Sequence, residues 1–379
     1  MKSLVLYPYP LELDGVSLQG ELLYRGLCEN GHIAQPCHRA SGLEKEWLYD
    51  SFKPDVAIGV GYWGDVPDLV KDPLENGITP VPWLNANGWV SNYIDILDDL
   101  PLIMTTSQWV KETYIRDGVK NKNIFPMPIG IDTNEMRPLP KDDKGIESIK
   151  KMFEIKEDEK VIMTIGGDTT SKGSQEILQA LAIVDKEFKD WKYIGKSWHC
   201  PSYHRSDEMK IIKENNLDMK KITFIDGAMS RGFMNSMINA CDVYAAPSRI
   251  EGFGMIQVEA QSCGKPVLAI DAMGIKDTVV HGKTGYLAKV GEEIILDEEW
   301  VYPHQGFAKK MVIKFDEPKV FAVRADIEEL AEYLLKMLTD DSLREKMGEK
   351  AREHAVNNFN YKKVSEDIYG LISKKLNID

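Results

Sequence analysis

Short apolar runs alternate with amphipathic stretches along most of the chain. In its first part the runs are LVLYPYP, IAQPCH, DVAIGVGYW, TPVPWLN, LIMTTS and NIFPMPIG, separated by stretches of helical spacing such as SLQGELLYRGLCENGH. Polar, Pro- and Lys-rich RPLPKDDKGIESIKK (137–151) interrupts the pattern, which then restarts with KVIMTIGG, WKYIGKS, ITFIDG, DVYAAPS and PVLAID. Apolar runs of this length, each followed by a helical stretch, are the pattern of parallel strands covered by helices on both faces. The expectation is an α/β protein of two doubly wound domains, residues 1–140 and 151–358, joined by a linker at 141–150. Two such domains leave a cleft between them where ligands commonly bind. Residues 289–322 break the rhythm with strand-like, aromatic-bearing segments and read as an inserted hairpin, and the last sixty residues are mostly helical.

Composition narrows the function classes. With 379 residues, 43% of them apolar, the chain buries a sizeable core across two domains of ordinary size. A net charge of −13 argues against general affinity for nucleic acid or anionic lipid and favours a small ligand. The first residues are too short and too polar a run for a signal peptide, and no window reaches the length of a membrane span, so the cytoplasm is the expected location. Five scattered cysteines fit reduced thiols better than a disulfide framework.

Two segments carry candidate chemistry. PSRIEGFGMIQVEAQSCGKPVLAID (247–271) reads as a strand end, a glycine-rich loop and a helix closed by Gly264, with Glu251 in the loop and Glu259 inside the helix. Free backbone N–H groups at Gly254 and Met255 and the positive end of the helix dipole make an anion site between the two carboxylates. Each carboxylate accepts hydrogen bonds from vicinal hydroxyls, so the stretch suits a nucleoside-diphosphate sugar held at both hydroxyl-bearing ends. A surface corner with two solvated glutamates is the plain alternative. VIMTIGGDTTSKGSQEILQALAIVDKE runs strand, loop with Gly166 and Gly167, then a helix capped by Ser174, with Lys172 delivered just before it. It is not a P-loop, because the glycine spacing differs and no Ser or Thr follows the lysine directly. Alone Lys172 is an ordinary loop lysine; beside the glutamates it reads as a clamp on the diphosphate.

These residues resemble the retaining glycosyltransferases of the large group 1 family, with two facing Rossmann-like domains (the GT-B fold), in the group of bacterial and archaeal mannosyl- and glucosyltransferases. The resemblance rests on the glutamate stretch, HGKTGYLAKV (281–290) and ITFIDGAMSRGFMNSMINACDVYAAPS, and extends to TTSQWVKETYIRDGVKNKNIFPMPIGIDTNEMRPLP and GEKAREHAVNNFNYKKVSEDIYGLI. It implies a first domain on the acceptor side, a second that binds the nucleotide sugar, and a closing helix (359–379) that returns to the first. Glu251 would hold sugar hydroxyls, Glu259 the ribose, and the amides of Gly252, Phe253, Gly254 and Met255 the sugar and diphosphate; Gly166, Gly167 and Gly227 would line the donor site, and Lys172 matches the family's phosphate lysine. Two departures stand out. The family's arginine beside the first glycine of the phosphate loop is Gly167 here, and its histidine after the fourth strand is absent, leaving Asn85 or Asn87 to position acceptor or sugar. Asp14 and Gly15, in the loop after the first strand, are further acceptor-side candidates.

The implied reaction is transfer of a hexose-type sugar to a hydroxyl acceptor with retention, in which Lys172 and the helix N-terminus stabilise the leaving diphosphate without metal or other cofactor. Expected partners are a nucleotide-sugar donor and a sugar, lipid-linked or other hydroxyl acceptor; no nucleic acid is expected. Peripheral contact with the inner membrane face and the oligomeric state stay open. A nucleotide-sugar epimerase on the same fold and a non-catalytic nucleotide-sugar-binding protein are the competing readings. Three other signals carry less. GVGYWG (Gly59, Gly61, Gly64) has dinucleotide-loop spacing but no acidic residue at the expected distance, His199, Cys200 and His204 lack a second ligand pair, and His32 reads as a helix cap.

Overall fold

The computed structural model describes the chain apart from Leu13, Asp168, residues 199–203 and Asp379. It divides into two compact units, one of residues 1–132, 295–321 and 358–379, the other of 133–294 and 322–357. The first holds a six-stranded sheet of β1 (Lys2–Tyr7), β2 (Ile33–His38), β3 (Val56–Tyr62), β4 (Thr79–Asn85), β5 (Ile103–Thr105) and β6 (Ile124–Pro126), in the order β2-β1-β3-β4-β5-β6. The second holds β7 (Lys160–Gly166), β8 (Trp191–Ser197), β9 (Ile222–Asp226), β10 (Val243–Ala245), β11 (Val267–Ile270) and β12 (Gly285–Ala288), ordered β12-β11-β10-β7-β8-β9. All neighbouring strands within each sheet are parallel. Central strands such as β7 and β8 are buried almost throughout, which is why their sequences read as apolar runs without alternation.

In the first unit the C-terminal helix Tyr361–Leu376 docks on helix Gly15–Glu29. A Cβ on Gly26 would collide with Ser365 and one on Gly130 with Tyr361, so glycine at both places lets the helix approach. His32 does not cap the first helix. Its Nε2 lies 2.8 Å from Glu366 Oε2 and its ring stacks on Tyr369 at 3.6 Å, while Asn30 forms the C-cap.

The stretch read as a linker is structured. Asp143 accepts hydrogen bonds from the amides of Gly145 and Ile146 and starts helix Lys144–Met152, which buries Ile146 and Ile149 and packs on helix Arg231–Ala240 of the second unit. Its two apolar residues at helical spacing are hidden in sequence by the surrounding lysines.

The inserted segment is a two-stranded ribbon, β13 (Val290–Val301) and β14 (Met311–Ala325). Its outer part, residues 295–321, belongs to the first unit. Val301 is 0% exposed there, Phe307, Ile313, Phe315 and Phe321 pack on the same apolar cluster, and Phe315 meets Trp89 with ring centroids 5.6 Å apart. Asn92 Nδ2 donates to Gln305 O at 3.0 Å, and Lys319 pairs with Asp117 at 2.6 Å. Phe307, Phe315 and Phe321 of this segment therefore pack on a core, while Trp300 and Tyr302 stay exposed with Lys310 over their rings. Truncating Val301 to Ala should destabilise the protein by about 2 kcal/mol in urea unfolding, from lost apolar burial plus a residual cavity; a surface hairpin would tolerate the change without measurable loss.

Candidate functional site

In the second sheet the strand order reverses between β7 and β10, so the loops leaving their carboxyl ends diverge and open a ligand crevice. Those two loops are the glycine-rich segments singled out in the sequence. A recess of about 930 Å³ lined by Lys160, Val161 and Asp242 lies instead at the amino ends of β7 and β10, the edge where open parallel sheets do not bind ligands.

The β7 loop is a tight turn. The amides of Lys172 and Ser174 both donate to Thr169 O at 3.0 Å, and Gly173 donates to Thr170 O. Gly173, at φ +83°, caps helix Ser174–Val184, so Ser174 is the first helical residue and not the cap. The left-handed conformation at this cap favours glycine. The Ser174 hydroxyl is directed elsewhere, to the carboxylate of Glu208, which also accepts from Thr169 Oγ1 at 2.8 Å. Lys172 folds its chain across Gly166, where any Cβ would collide with it. Its Nζ ends 2.5 Å from Glu251 Oε2.

Two contacts stitch the β7 and β10 loops together. A Cβ at residue 173 would strike the carbonyl of Pro247, and the Arg249 amide donates to Ser171 O at 2.9 Å. Arg249 is itself fixed: its guanidinium donates to both Glu176 oxygens (2.9 and 3.1 Å) and to Gln175 Oε1, with Arg324 at 3.3 Å from the same buried Glu176. Val323, on β14, donates to Arg249 O at 2.8 Å, so the root of the ribbon borders this loop.

Beyond Glu251 the chain turns at Gly252 and buried Phe253, whose amide lies 3.4 Å from Glu251 Oε1. Gly254, at φ +92°, caps helix Met255–Ser262, whose first amides have no intrahelical acceptor. Glu259 is 2% exposed, and its Oε1 lies 2.7 Å from Arg231 Nη2. The pair is ionic but out of line for a hydrogen bond, so both atoms keep unused hydrogen-bonding capacity. Burial works against the charge on Arg231, yet Glu259 and Glu135 overcome it and raise its pKa. Gly227, at φ +112° directly after β9, donates its amide to Ser197 O at 3.1 Å.

The structure thus brings Lys172 and Glu251 into contact and sets Gly166, Gly252, Phe253, Gly254 and Met255 on the same two loops. Sequence reading missed Arg231 and Arg249. Arg249 stands two residues before Glu251 in the quoted stretch, but nothing local tells that its partner is Glu176 on another helix.

The first-unit candidates fare differently. Asp14 is occupied as an N-cap, accepting from the amides of Val16 and Ser17, and Gly15 is the first residue of that helix. Asn85 Oδ1 accepts from the Ala86 amide at 2.8 Å and from Thr106 Oγ1 at 3.3 Å, a local structural use; Asn87 is exposed. Gly59 and Gly61 lie inside β3 against Leu69 and Asp65 and Gly64 in the 3-10 turn that follows it, so GVGYWG is a strand end and not a phosphate loop. His199 and Cys200 lie outside the described residues; His204 precedes helix Arg205–Glu214 near Asp207. Among the described residues no group of three or more His, Cys, Asp or Glu could hold a metal ion.

Two Rossmann-like units of parallel sheet and helices define the GT-B class of fold. Residues 145–298 match the model of the family Glycosyl transferases group 1. The chain is 25% identical over 221 residues to the capsular polysaccharide biosynthesis glycosyltransferase CapM of Staphylococcus aureus, covering 58% of this chain and 47% of that protein. It is 30% identical over 178 residues to an uncharacterized glycosyltransferase of Methanocaldococcus jannaschii, covering 44% and 48%. The chain spans about half the length of these curated relatives. The fold is shared with Anabaena HepE solved with UDP and glucose (TM-score 0.73, 15% identity, 99% of this chain and 100% of that one). It is shared also with sucrose-phosphate synthase of Thermosynechococcus elongatus (TM-score 0.74, 15% identity, 100% of both).

Two substitutions test this local architecture. Arg231→Met leaves Glu259 buried without its cation and should cost about 3 kcal/mol at neutral pH, read by chemical denaturation. Gly173→Ala forces a side chain against Pro247 O at positive φ; it should lower the melting temperature and weaken nucleoside-diphosphate binding together, whereas Gly282→Ala, also at positive φ but in open space, should leave binding unchanged.

Proposed function

We propose that the protein transfers a hexose-type sugar from a nucleoside-diphosphate donor to a hydroxyl acceptor with retention of configuration. The observation that carries this reading is the Lys172–Glu251 contact at the switch point between β7 and β10. A lysine and a glutamate side by side neutralise one another. A nucleotide sugar offers each a better partner, the diphosphate for Lys172 and sugar hydroxyls for Glu251. A nucleoside diphosphate alone satisfies only the lysine. Glu259, with an unaligned Arg231 beside it and an acceptor oxygen to spare, takes the ribose hydroxyls. HepE, of the same fold, was solved with UDP and glucose, which supports a nucleotide sugar as the donor class here.

In this reading the bond from the anomeric carbon to the diphosphate oxygen breaks as positive charge grows on the sugar. Lys172 and the amides at the start of helix Met255–Ser262 stabilise the departing phosphate. The acceptor hydroxyl enters on the face the phosphate leaves, and a phosphate oxygen takes its proton. No acid is needed for the leaving group and no metal is assigned a role. Activity should therefore persist in excess EDTA, and a loss restored by a divalent cation would overturn that assignment.

Incubation with a panel of nucleotide sugars, scoring diphosphate release with and without acceptors, separates transfer from epimerisation and from binding alone. Glu251→Gln frees Lys172 and should leave nucleoside-diphosphate affinity unchanged or tighter while turnover collapses. Lys172→Ala removes a charge-assisted contact of about 1.5–3 kcal/mol and should weaken diphosphate binding roughly ten- to a hundredfold in calorimetry. Wild-type binding and transfer in both variants would refute the donor clamp.

A further inference from the structure

One buried cation beside the phosphate loop has no task in the scheme above. Lys196 is the penultimate residue of β8, in register with Ile165 of β7 and Ile225 of β9, and is 1% exposed. Among the described residues it makes no ion pair. The carboxylate that acts on it, Asp226, is already engaged by the Ser197 hydroxyl and by Arg205 Nη2 at 3.0 Å. Arg205 in turn lies 3.1 Å from Glu208, the carboxylate that holds Thr169 and Ser174. The anions around β8 are thus taken by Arg205 and by hydroxyls.

The ammonium of Lys196 lies 5.8 Å from the ring centre of Trp198. The same indole bounds Gly167: among the described residues a Cβ built there has Trp198 as its nearest neighbour, at 3.9 Å, and the Trp198 amide donates to Gly167 O at 3.2 Å. Among the described residues position 167 therefore has room for a side chain but carries none, and a positive charge stands beside the indole that borders that space. Burying an ammonium without a partner is costly, and such groups are retained where a ligand supplies the missing anion.

Resting on the donor reading above, we propose that Lys196 is a second cation on the donor's diphosphate, delivered from β8 into the space that Gly167 leaves open beside the β7 loop. Among the described residues Asp226 from β9 is the charged group that acts on Lys196, and Lys172 is the cation of the adjoining β7 loop. Burial pulls the Lys196 ammonium from 10.5 down to about 8, against the opposing pull of Asp226. The cost of charging it is fully present below pH 8 and is relieved between pH 8 and 10.5, where only the unfolded chain still holds the proton. A diphosphate binding next to it restores the charge.

The test is calorimetric titration with whichever of UDP, ADP and GDP binds the wild type, and with the matching nucleoside. Lys196→Met should weaken the diphosphate about tenfold or more and leave the nucleoside unchanged. Its melting temperature near neutral pH should be equal or higher, because a buried charge is gone. Wild-type diphosphate affinity should fall between about pH 7 and pH 9, while Lys196→Arg, charged throughout, should bind with little pH dependence. Diphosphate affinity within about twofold of wild type in Lys196→Met, or an equal loss for the nucleoside, would overturn the proposal while Lys172→Ala still reports on the donor site. If none of the three diphosphates binds the wild type, the donor reading itself fails.

Discussion

The carbonyl of Pro247 stands where a side chain at residue 173 would be, and much of the architecture around the β7 and β10 loops follows from that approach. Because residue 173 is glycine, the turn that ends β7 can press against the strand end of β10. Lys172 is then delivered to Glu251, and Arg249 can reach Ser171 with its amide and Glu176 with its guanidinium. Both helices that follow these loops begin at left-handed glycines, Gly173 and Gly254, so their N-termini start at fixed points beside the crevice. Helix N-termini attract anions, and here two begin at the one place where the sheet topology opens.

Buried charge is the second organising feature of this unit. Glu176 is held by Arg249 and Arg324, Glu208 by Arg205 and two hydroxyls, and Glu259 by Arg231. Taking ion pairs out of water gains little net stability, because desolvation offsets most of the attraction. Their distribution makes sense as positioning: each pair ties a loop or helix start near the crevice to a neighbouring element. Glu208 connects the β7 loop to helix Arg205–Glu214, and Arg205 continues that connection to Asp226 just before Gly227.

The ribbon β13–β14 shows how an insertion can become structural at both ends. At its root Val323 and Arg324 border the Arg249 loop. Its outer part supplies Val301 and several aromatic side chains to the apolar cluster around Trp63 and Trp89 in the first unit. An isolated two-stranded ribbon is marginal in water, so burial of this apolar face accounts for its order.

Local sequence determined the elements whose causes are local. The apolar runs of β7, β8 and β10, the glycine that closes the helix at Gly264, and the lysine and glutamate placed on the two loops were legible, because strand burial and turn geometry are properties of neighbouring residues. The Ser174 cap was misread since its hydroxyl has a partner, Glu208, far along the chain, and the linker reading of 141–150 failed because two apolar residues among lysines gain meaning only when a helix is there to receive them. Tertiary structure alone decided that Arg231 meets Glu259, that Arg249 meets Glu176, that the phenylalanines of the ribbon pack on a core, and that Lys196 makes no ion pair among the described residues. Side-chain charge and apolar character are written in the sequence, but whether they are paired, buried or left facing open space depends on which distant strands and helices fold against them.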